Sequence, residues 1–85
     1  MRIKEYALVA APISEATDPN NMTIWDFETH TTQDAKEIVN IIETRKEEPD
    51  FFESHCIEEY WVDEEGDFIG GSDFDTIENF LERNK

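Results

Sequence analysis

The first third of the chain contains two stretches whose hydrophobic pattern is typical of β-strands. Residues 3–11 are rich in small and β-favouring apolar residues, which predicts a buried and central strand. Residues 22–30 alternate between two faces, one of which carries Trp25 and Phe27, and this period of two predicts a half-buried strand. Residues 12–21 contain two prolines and two asparagines, so we expect the longest loop to lie between the two strands.

The hydrophobic period changes after the second strand and indicates helices. In residues 30–49 the apolar residues recur three and four positions apart, which predicts an amphipathic helix. Thr31 is placed to cap the amino end of this helix. A second helix is predicted in residues 70–85, with Ser72 or Asp73 as its cap.

Two further strands are predicted between the helices. Residues 56–62 have the composition of a strand, and the acidic turn 63–67 leads into a short fourth strand at residues 68–70. The resulting order is β-β-α-β-β-α. It predicts an α+β fold with one mainly antiparallel four-stranded sheet and two helices packed on one face. At this length, residues 1–85 are expected to form a single small domain.

Large apolar side chains are frequent enough to indicate a folded protein. Aromatic residues make up 12% of the chain, which is more than disordered acidic chains contain. Trp61 and the pair Phe51 and Phe52 are candidates for exposed apolar anchors. Five other residues are expected in the core: Trp25, Phe27, Ile57, Phe68 and Phe80.

Negative charge dominates the sequence and narrows the range of partners. The formal net charge is −15, from 22 acidic and 7 basic residues, and residues 49–85 hold 12 of the acids but only 2 of the bases. Such a chain lacks the Lys and Arg needed to bind nucleic acid or an anionic membrane directly. A basic protein partner or a metal cation is favoured instead.

The acidic second half predicts a contact surface for such a basic partner. Strand residues rise about 3.4 Å each, close to the roughly 3.4 Å between phosphates along one DNA strand. The chain is therefore interpreted as a non-enzymatic interaction protein and, in a sharper form, as a nucleic-acid mimic that occupies the groove of a nucleic-acid-binding enzyme. Trp61 would be its apolar anchor. The candidate contact acids are Glu58, Glu59, Asp63, Glu64, Glu65, Asp67, Asp73 and Asp75.

Some inhibitors of nucleic-acid enzymes have a composition similar to that of this chain. Small folded proteins of similar charge occur among phage and mobile-element inhibitors of restriction enzymes, CRISPR nucleases and host polymerases. The chain resembles them in size and charge, without a shared sequence motif.

Enzyme, metal and cofactor sites have weaker support in the sequence. If Gly66 is taken as the sixth residue of an EF-hand loop, Trp61 falls at the first ligand position, where it cannot bind calcium. A zinc site would have only His30, His55 and Cys56 as soft ligands. We therefore expect no cofactor, no metal and no catalytic residue, and a non-standard divalent-cation site in the acidic turn remains a third hypothesis.

The cysteine content and the amino-terminal region bear on location. Because Cys56 is the single cysteine, no internal disulfide can form, which favours a reducing, cytoplasmic compartment. The beginning of the chain superficially resembles a secretory signal, but a buried strand explains its short apolar run better. The main alternative is a small self-associating domain, a homodimer formed through an edge strand at residues 22–30 or 68–70, whose charge serves solubility only.

Overall fold

Four strands form one antiparallel sheet in the part of the chain that the structure describes. The computed structural model describes residues 1–21 and 23–85. The strands are β1 (Ile3–Val9), β2 (Glu28–Thr32), β3 (Cys56–Val62) and β4 (Phe68–Asp75). Their spatial order is β2-β1-β3-β4, so β1 and β3 are the inner strands and β2 and β4 are the edges.

Helices complete an α+β fold, as predicted, but the described residues contain four α-helices and not two. They are α1 (Ile13–Ala16), α2 (Ala35–Arg45), α3 (Phe51–Ser54) and α4 (Ile77–Arg83). A 3-10 helix at Ile24–Phe27 precedes β2. No helix among the described residues has the length and apolar character required to cross a membrane.

The two longer helices pack on the same face of the sheet, which we call the helix face. Apolar residues four positions apart in α2 supply one side of this layer, and α3 and α4 supply the remainder. Tyr6 of β1 meets Phe80 of α4 edge to face, with ring centroids 6.0 Å apart. The buried residues of the layer are Leu8, Ile38, Ile42, Phe51, Ile57, Ile77 and Phe80.

The opposite face of the sheet, which we call the α1 face, is covered by α1 and the 3-10 helix. Because both faces are covered, β1 and β3 carry apolar residues at successive positions and not only at alternate ones. The elements covering the α1 face are only four residues long. Its buried residues are Ala7, Val9, Ala11, Ala16, Ile24, Cys56, Tyr60 and Val62.

The predicted strand at residues 22–30 is wrong for most of its length. A 3-10 helix occupies Ile24–Phe27, and β2 begins only at Glu28. This turn buries Ile24 against the α1 face, and the Ala10 N–H donates to the Phe27 carbonyl at 2.8 Å, so packing outweighs the β propensity of the aromatic residues. Met22, where the predicted strand began, lies outside the described residues.

Helix boundaries differ from the prediction because other side chains cap the helices. Asp34, and not Thr31, caps α2, and its carboxylate accepts from the Lys36 N–H at 3.0 Å. Thr76 caps α4 by accepting from the Asn79 N–H at 3.2 Å. The predicted caps Ser72 and Asp73 instead belong to β4, which continues to Asp75.

Candidate functional site

Two of the eight candidate contact acids, Glu58 and Glu59, point into the molecule. Only 3% of Glu58 and 8% of Glu59 is exposed, because both lie on the inner strand β3, which is covered on both faces. Neither side chain can therefore belong to an exposed contact surface. The expectation of exposure is wrong for these two residues, and their role in partner binding stays a prediction.

Glu59 and Asp75 form an ionic network with the carboxyl-terminal helix. The Arg83 guanidinium donates to Glu59 Oε2 and lies 2.9 Å from Asp75 Oδ2. Lys4 Nζ lies 3.5 Å from Glu59 Oε1. The bond to Glu59 and the charges of both carboxylates raise the Arg83 pKa. These acids are neutralised by the protein's own cations and hold α4 against the sheet.

The other candidate acids lie on the β3–β4 hairpin and on β4. Asp63 shapes the turn, because its Oδ1 accepts from the Glu65 N–H at 2.9 Å and the Asp67 N–H at 3.0 Å. Glu64 Oε1 lies 2.9 Å from the amino-terminal nitrogen, which lowers the pKa of Glu64. Glu65 and Asp67 are exposed, and so is Asp73 farther along β4.

The predicted anchor Trp61 is half-buried and already contacts two cations of the same chain. The Arg2 guanidinium lies 4.8 Å and the Lys4 ammonium 4.7 Å from its ring. A Cβ at Gly71 would lie 2.7 Å from Trp61 Cδ1, so the ring also packs closely on the β4 backbone. Phe51, another predicted anchor, is buried in the core of the helix face, and Phe52 is partly buried beside it.

A small pocket on the α1 face brings together three glutamates from three neighbouring strands. Glu5 of β1, Glu28 of β2 and Glu58 of β3 all line a cavity of about 160 Å³. Only Glu58 was a sequence-predicted site residue. The remaining lining residues are Trp25, Tyr60, Val62, Gly66 and Phe68.

The pairing register places these carboxylates on one face. Glu5 lies opposite Tyr60, and Glu58 lies opposite Ala7. An irregularity in the β1–β2 pairing puts Glu28 opposite Val9. Since Glu5, Ala7 and Val9 alternate along β1, the three glutamates share the α1 face. The sequence clue was Glu5, an acid within a strand that was predicted to be buried and central, because a buried charge requires a partner.

The hydrogen bonds in the pocket leave one buried oxygen without a donor. The Tyr60 hydroxyl donates to Glu5 Oε2 at 2.6 Å, and the Ser72 hydroxyl donates to Glu58 Oε2 at 3.0 Å. Glu58 Oε1 is buried and has no N–H or O–H partner among the described residues. An unsatisfied buried acceptor costs about 1–3 kcal/mol, and more when it is charged. The described residues therefore supply no hydrogen-bond donor to this buried oxygen of the pocket.

Glu28, beside Glu58, favours its protonated form. Burial raises its pKa to about 8, and the hydrogen bond to Glu58 and the negative charges of Glu58 and Glu5 act in the same direction. A protonated Glu28 can donate to Glu58, whereas an ionised one would place two carboxylates together with no donor between them. Burial and the bond to Glu5 likewise raise the pKa of Tyr60, so its hydroxyl remains a donor.

Two aromatic residues that were predicted in the core stand at the rim of this pocket. Trp25 is 63% and Phe68 is 58% exposed, and the Phe68 ring lies 5.8 Å from that of Tyr60. Phe27 is also exposed, so the prediction of burial is wrong for all three. It is confirmed for Ile57 and Phe80, which face the helix layer. The outcome for Trp25 and Phe27 follows from the 3-10 helix, which turns Ile24 inward in their place.

The chemistry of the pocket is that of a receptor for a positive charge. Oxygen acceptors lie inside and aromatic faces lie at the rim, where they attract cations. Within residues 1–21 and 23–85, no three Asp, Glu, His or Cys side chains lie close enough together to hold a metal ion. Cys56 does not supply a nucleophile, because burial and the nearby Glu58 raise its pKa to about 12.

Comparisons of the chain with protein-family models, curated proteins and solved structures find no significant match. The function of the pocket must therefore be inferred from its own residues.

Proposed function

We propose that the protein is a non-enzymatic binding protein whose partner is a basic protein. The observation that carries this proposal is the carboxylate-lined pocket next to an exposed acidic hairpin; in this pocket Glu58 Oε1 has no hydrogen-bond partner among the described residues. Gly66, at the turn of that hairpin, belongs to the pocket lining, so Glu65 and Asp67 are near its mouth. Pocket and hairpin together make a negatively charged face.

Association begins with long-range attraction. A net charge of −15 steers a basic surface toward the protein, and the resulting rate falls as salt increases. The exposed rings of Trp25 and Phe68 then supply the apolar contacts that slow dissociation. These two residues take the role that the sequence suggested for Trp61.

In its sharper form, the proposal is a stoichiometric inhibitor that occupies the nucleic-acid groove of an enzyme. Such grooves are lined with Lys and Arg that neutralise phosphates. Charge and size support this form, since a small acidic domain competes for the same cations without carrying a nucleic acid.

Affinity capture from a lysate with a matched pair of variants tests the proposal. The hairpin variant combines Glu64→Gln, Glu65→Gln and Asp67→Asn. The control removes the same charge from exposed positions on or next to the helices of the helix face: Glu47→Gln, Glu53→Gln and Glu78→Gln. We expect basic proteins to elute from the wild type and the control as salt rises, and to be depleted from the hairpin variant. Equal loss from both variants, or capture unchanged at half-molar salt, would contradict a specific electrostatic contact.

Self-association is the second candidate, and one observation favours it. The eight-residue β4 is an edge strand with exposed Phe68 and Ile69, so it could pair with its copy. Sedimentation of the purified protein distinguishes the two functions. A dimer that persists at high salt supports pairing through β4, whereas a monomer supports the basic partner.

A further inference from the structure

We propose that the pocket on the α1 face binds a primary alkylammonium group, the group that ends a lysine side chain. This inference deepens the proposed function and rests on it for the source of the ammonium, which would be a lysine of the basic partner. The juxtaposition that carries it is Glu58, which is 97% buried and has one oxygen without a partner in residues 1–21 and 23–85, together with Glu5 and Glu28 below an aromatic rim.

The number of hydrogen-bond partners matches an ammonium group. An ammonium carries three N–H donors and no acceptor. Glu58 Oε1 receives no hydrogen bond from the part of the chain that the structure describes, and Glu28 offers a carboxylate once its proton has left. Glu5 accepts one bond from Tyr60 and, as a carboxylate, keeps capacity for more. Carboxylates from three strands thus line the cavity and offer acceptors for the three donors of an ammonium.

The apolar part of the lining matches the alkyl chain that carries the ammonium. Val62 lies within the pocket, and Trp25 and Phe68 stand at its rim, where they would contact methylene groups while the charged end is buried. A cavity of about 160 Å³ is well below the roughly 300–1,000 Å³ of sites for drug-sized ligands. It has the size for one side chain and not for a folded peptide or a nucleotide.

Other cations fit the pocket less well. A guanidinium presents a planar fork that suits one carboxylate bidentately, whereas these carboxylates come from three separate strands. A trimethylated ammonium has no N–H and would leave Glu58 Oε1 unsatisfied. A divalent metal needs several oxygen ligands at about 2.0–2.6 Å, and the described residues contain no such cluster.

When the ammonium binds in this pocket, Glu28 releases its proton. The titratable groups that face Glu28 are Glu5 on β1 and Glu58 and Tyr60 on β3; the negative charges of Glu5 and Glu58 favour the protonated form of Glu28, and Glu28 in turn raises the pKa of Tyr60. An ammonium replaces that proton as the donor to Glu58. As the pH rises toward 8, affinity should therefore increase by up to about tenfold per pH unit. Above pH 8 it should level off, and near pH 10 it should fall as the amine loses its charge.

The test is an NMR titration of the whole protein with Nα-acetyl-lysine methylamide at pH 8. We expect shifts confined to the pocket, including the Trp25 indole N–H, and binding at least tenfold weaker for the trimethyl-lysine analogue. Glu58→Gln should weaken binding at least tenfold, and the control Glu78→Gln, at an exposed position of α4 on the helix face, less than twofold. Trp25→Ala, at an exposed position, provides a second variant that leaves the buried carboxylates unchanged, and it should weaken binding several-fold.

Several outcomes would overturn the inference. Shifts scattered over the acidic surface, or equal affinity for the trimethylated analogue, would mean non-specific charge attraction. Calcium or magnesium acting on the same residues at lower concentration would mean a metal site.

The outcome also separates this inference from the proposed function. If the lysine amide does not enter the pocket while the hairpin variant still loses basic proteins, the inference fails alone. If the amide binds but no basic protein is captured, the ammonium site stands and the proposed function fails. Tighter binding of cadaverine than of the amide would then assign the site to a free diamine.

Discussion

Glu28→Gln is the most direct perturbation of the donor shortage in the pocket. The folded protein holds the Glu28 proton up to about pH 8, whereas the unfolded chain releases it near the ordinary pKa of 4.5. The wild type therefore loses stability as the pH rises from about 4.5 to about 8 and loses none from this group above that range. Glutamine cannot ionise, and its amide N–H can donate to Glu58 Oε1 at every pH.

The size of the effect follows from the pKa and from the exposure of Glu28. Converting the whole difference between 4.5 and about 8 into free energy gives an upper limit of roughly 5 kcal/mol. Glu28 is only partly buried, so water screens part of this penalty. We expect the variant to be more stable than the wild type by about 1–2 kcal/mol at pH 9. For a domain of this size, each kcal/mol raises the melting temperature by roughly 4–8 °C.

Urea unfolding followed by circular dichroism at pH 5, 7 and 9 measures this difference. The gap between Glu28→Gln and the wild type should be small at pH 5 and should widen up to pH 9. Glu65→Gln on the exposed hairpin is the control and should show no such trend. A gap that stays constant with pH, or a variant less stable than the wild type at pH 9, would refute the shared-proton account of the pocket.

Three further predictions concern residues outside the ligand site. Arg83→Met leaves the buried Glu59 with one cation fewer and should lower the free energy of unfolding by about 1–3 kcal/mol in urea; an unchanged midpoint would contradict this. Gly71→Ala, at φ +79° and against the Trp61 ring, should cost about 1–3 kcal/mol and alter tryptophan fluorescence, whereas wild-type behaviour would mean that the ring moves freely. Cys56 should not react with a disulfide reagent at pH 8 until urea unfolds the protein, and rapid labelling of the folded state would contradict its burial.

The elements that the sequence predicted well are those whose pattern is local. β3 has the predicted bounds, Cys56–Val62, because seven consecutive residues favour a strand and an acidic turn ends it. The stripe of α2 was visible for the same reason. The 3-10 helix at Ile24–Phe27 was missed because burial of Ile24 against a distant layer, and not local propensity, decides its conformation.

The pocket itself could not be predicted from spacing along the chain. Glu5 and Glu58 are 53 positions apart in sequence, and they meet because β1 and β3 pair in one particular register. A shift of one residue would turn their side chains to opposite faces. The place of Glu28 depends further on the irregular pairing of β2. Glu58 was chosen from the sequence because of its charge. It was also expected to be exposed, which its place on an inner strand does not allow.

At Glu58, stability of the fold and affinity for a cation require opposite properties of the same side chain. While no ligand is bound, this charge strains the fold, and an apolar or amide replacement would relieve that strain and raise the melting temperature. The same replacement would remove the acceptor for an incoming cation. A screen for variants with a higher melting temperature should therefore select substitutions of Glu58 early. The selected proteins should no longer bind an amine.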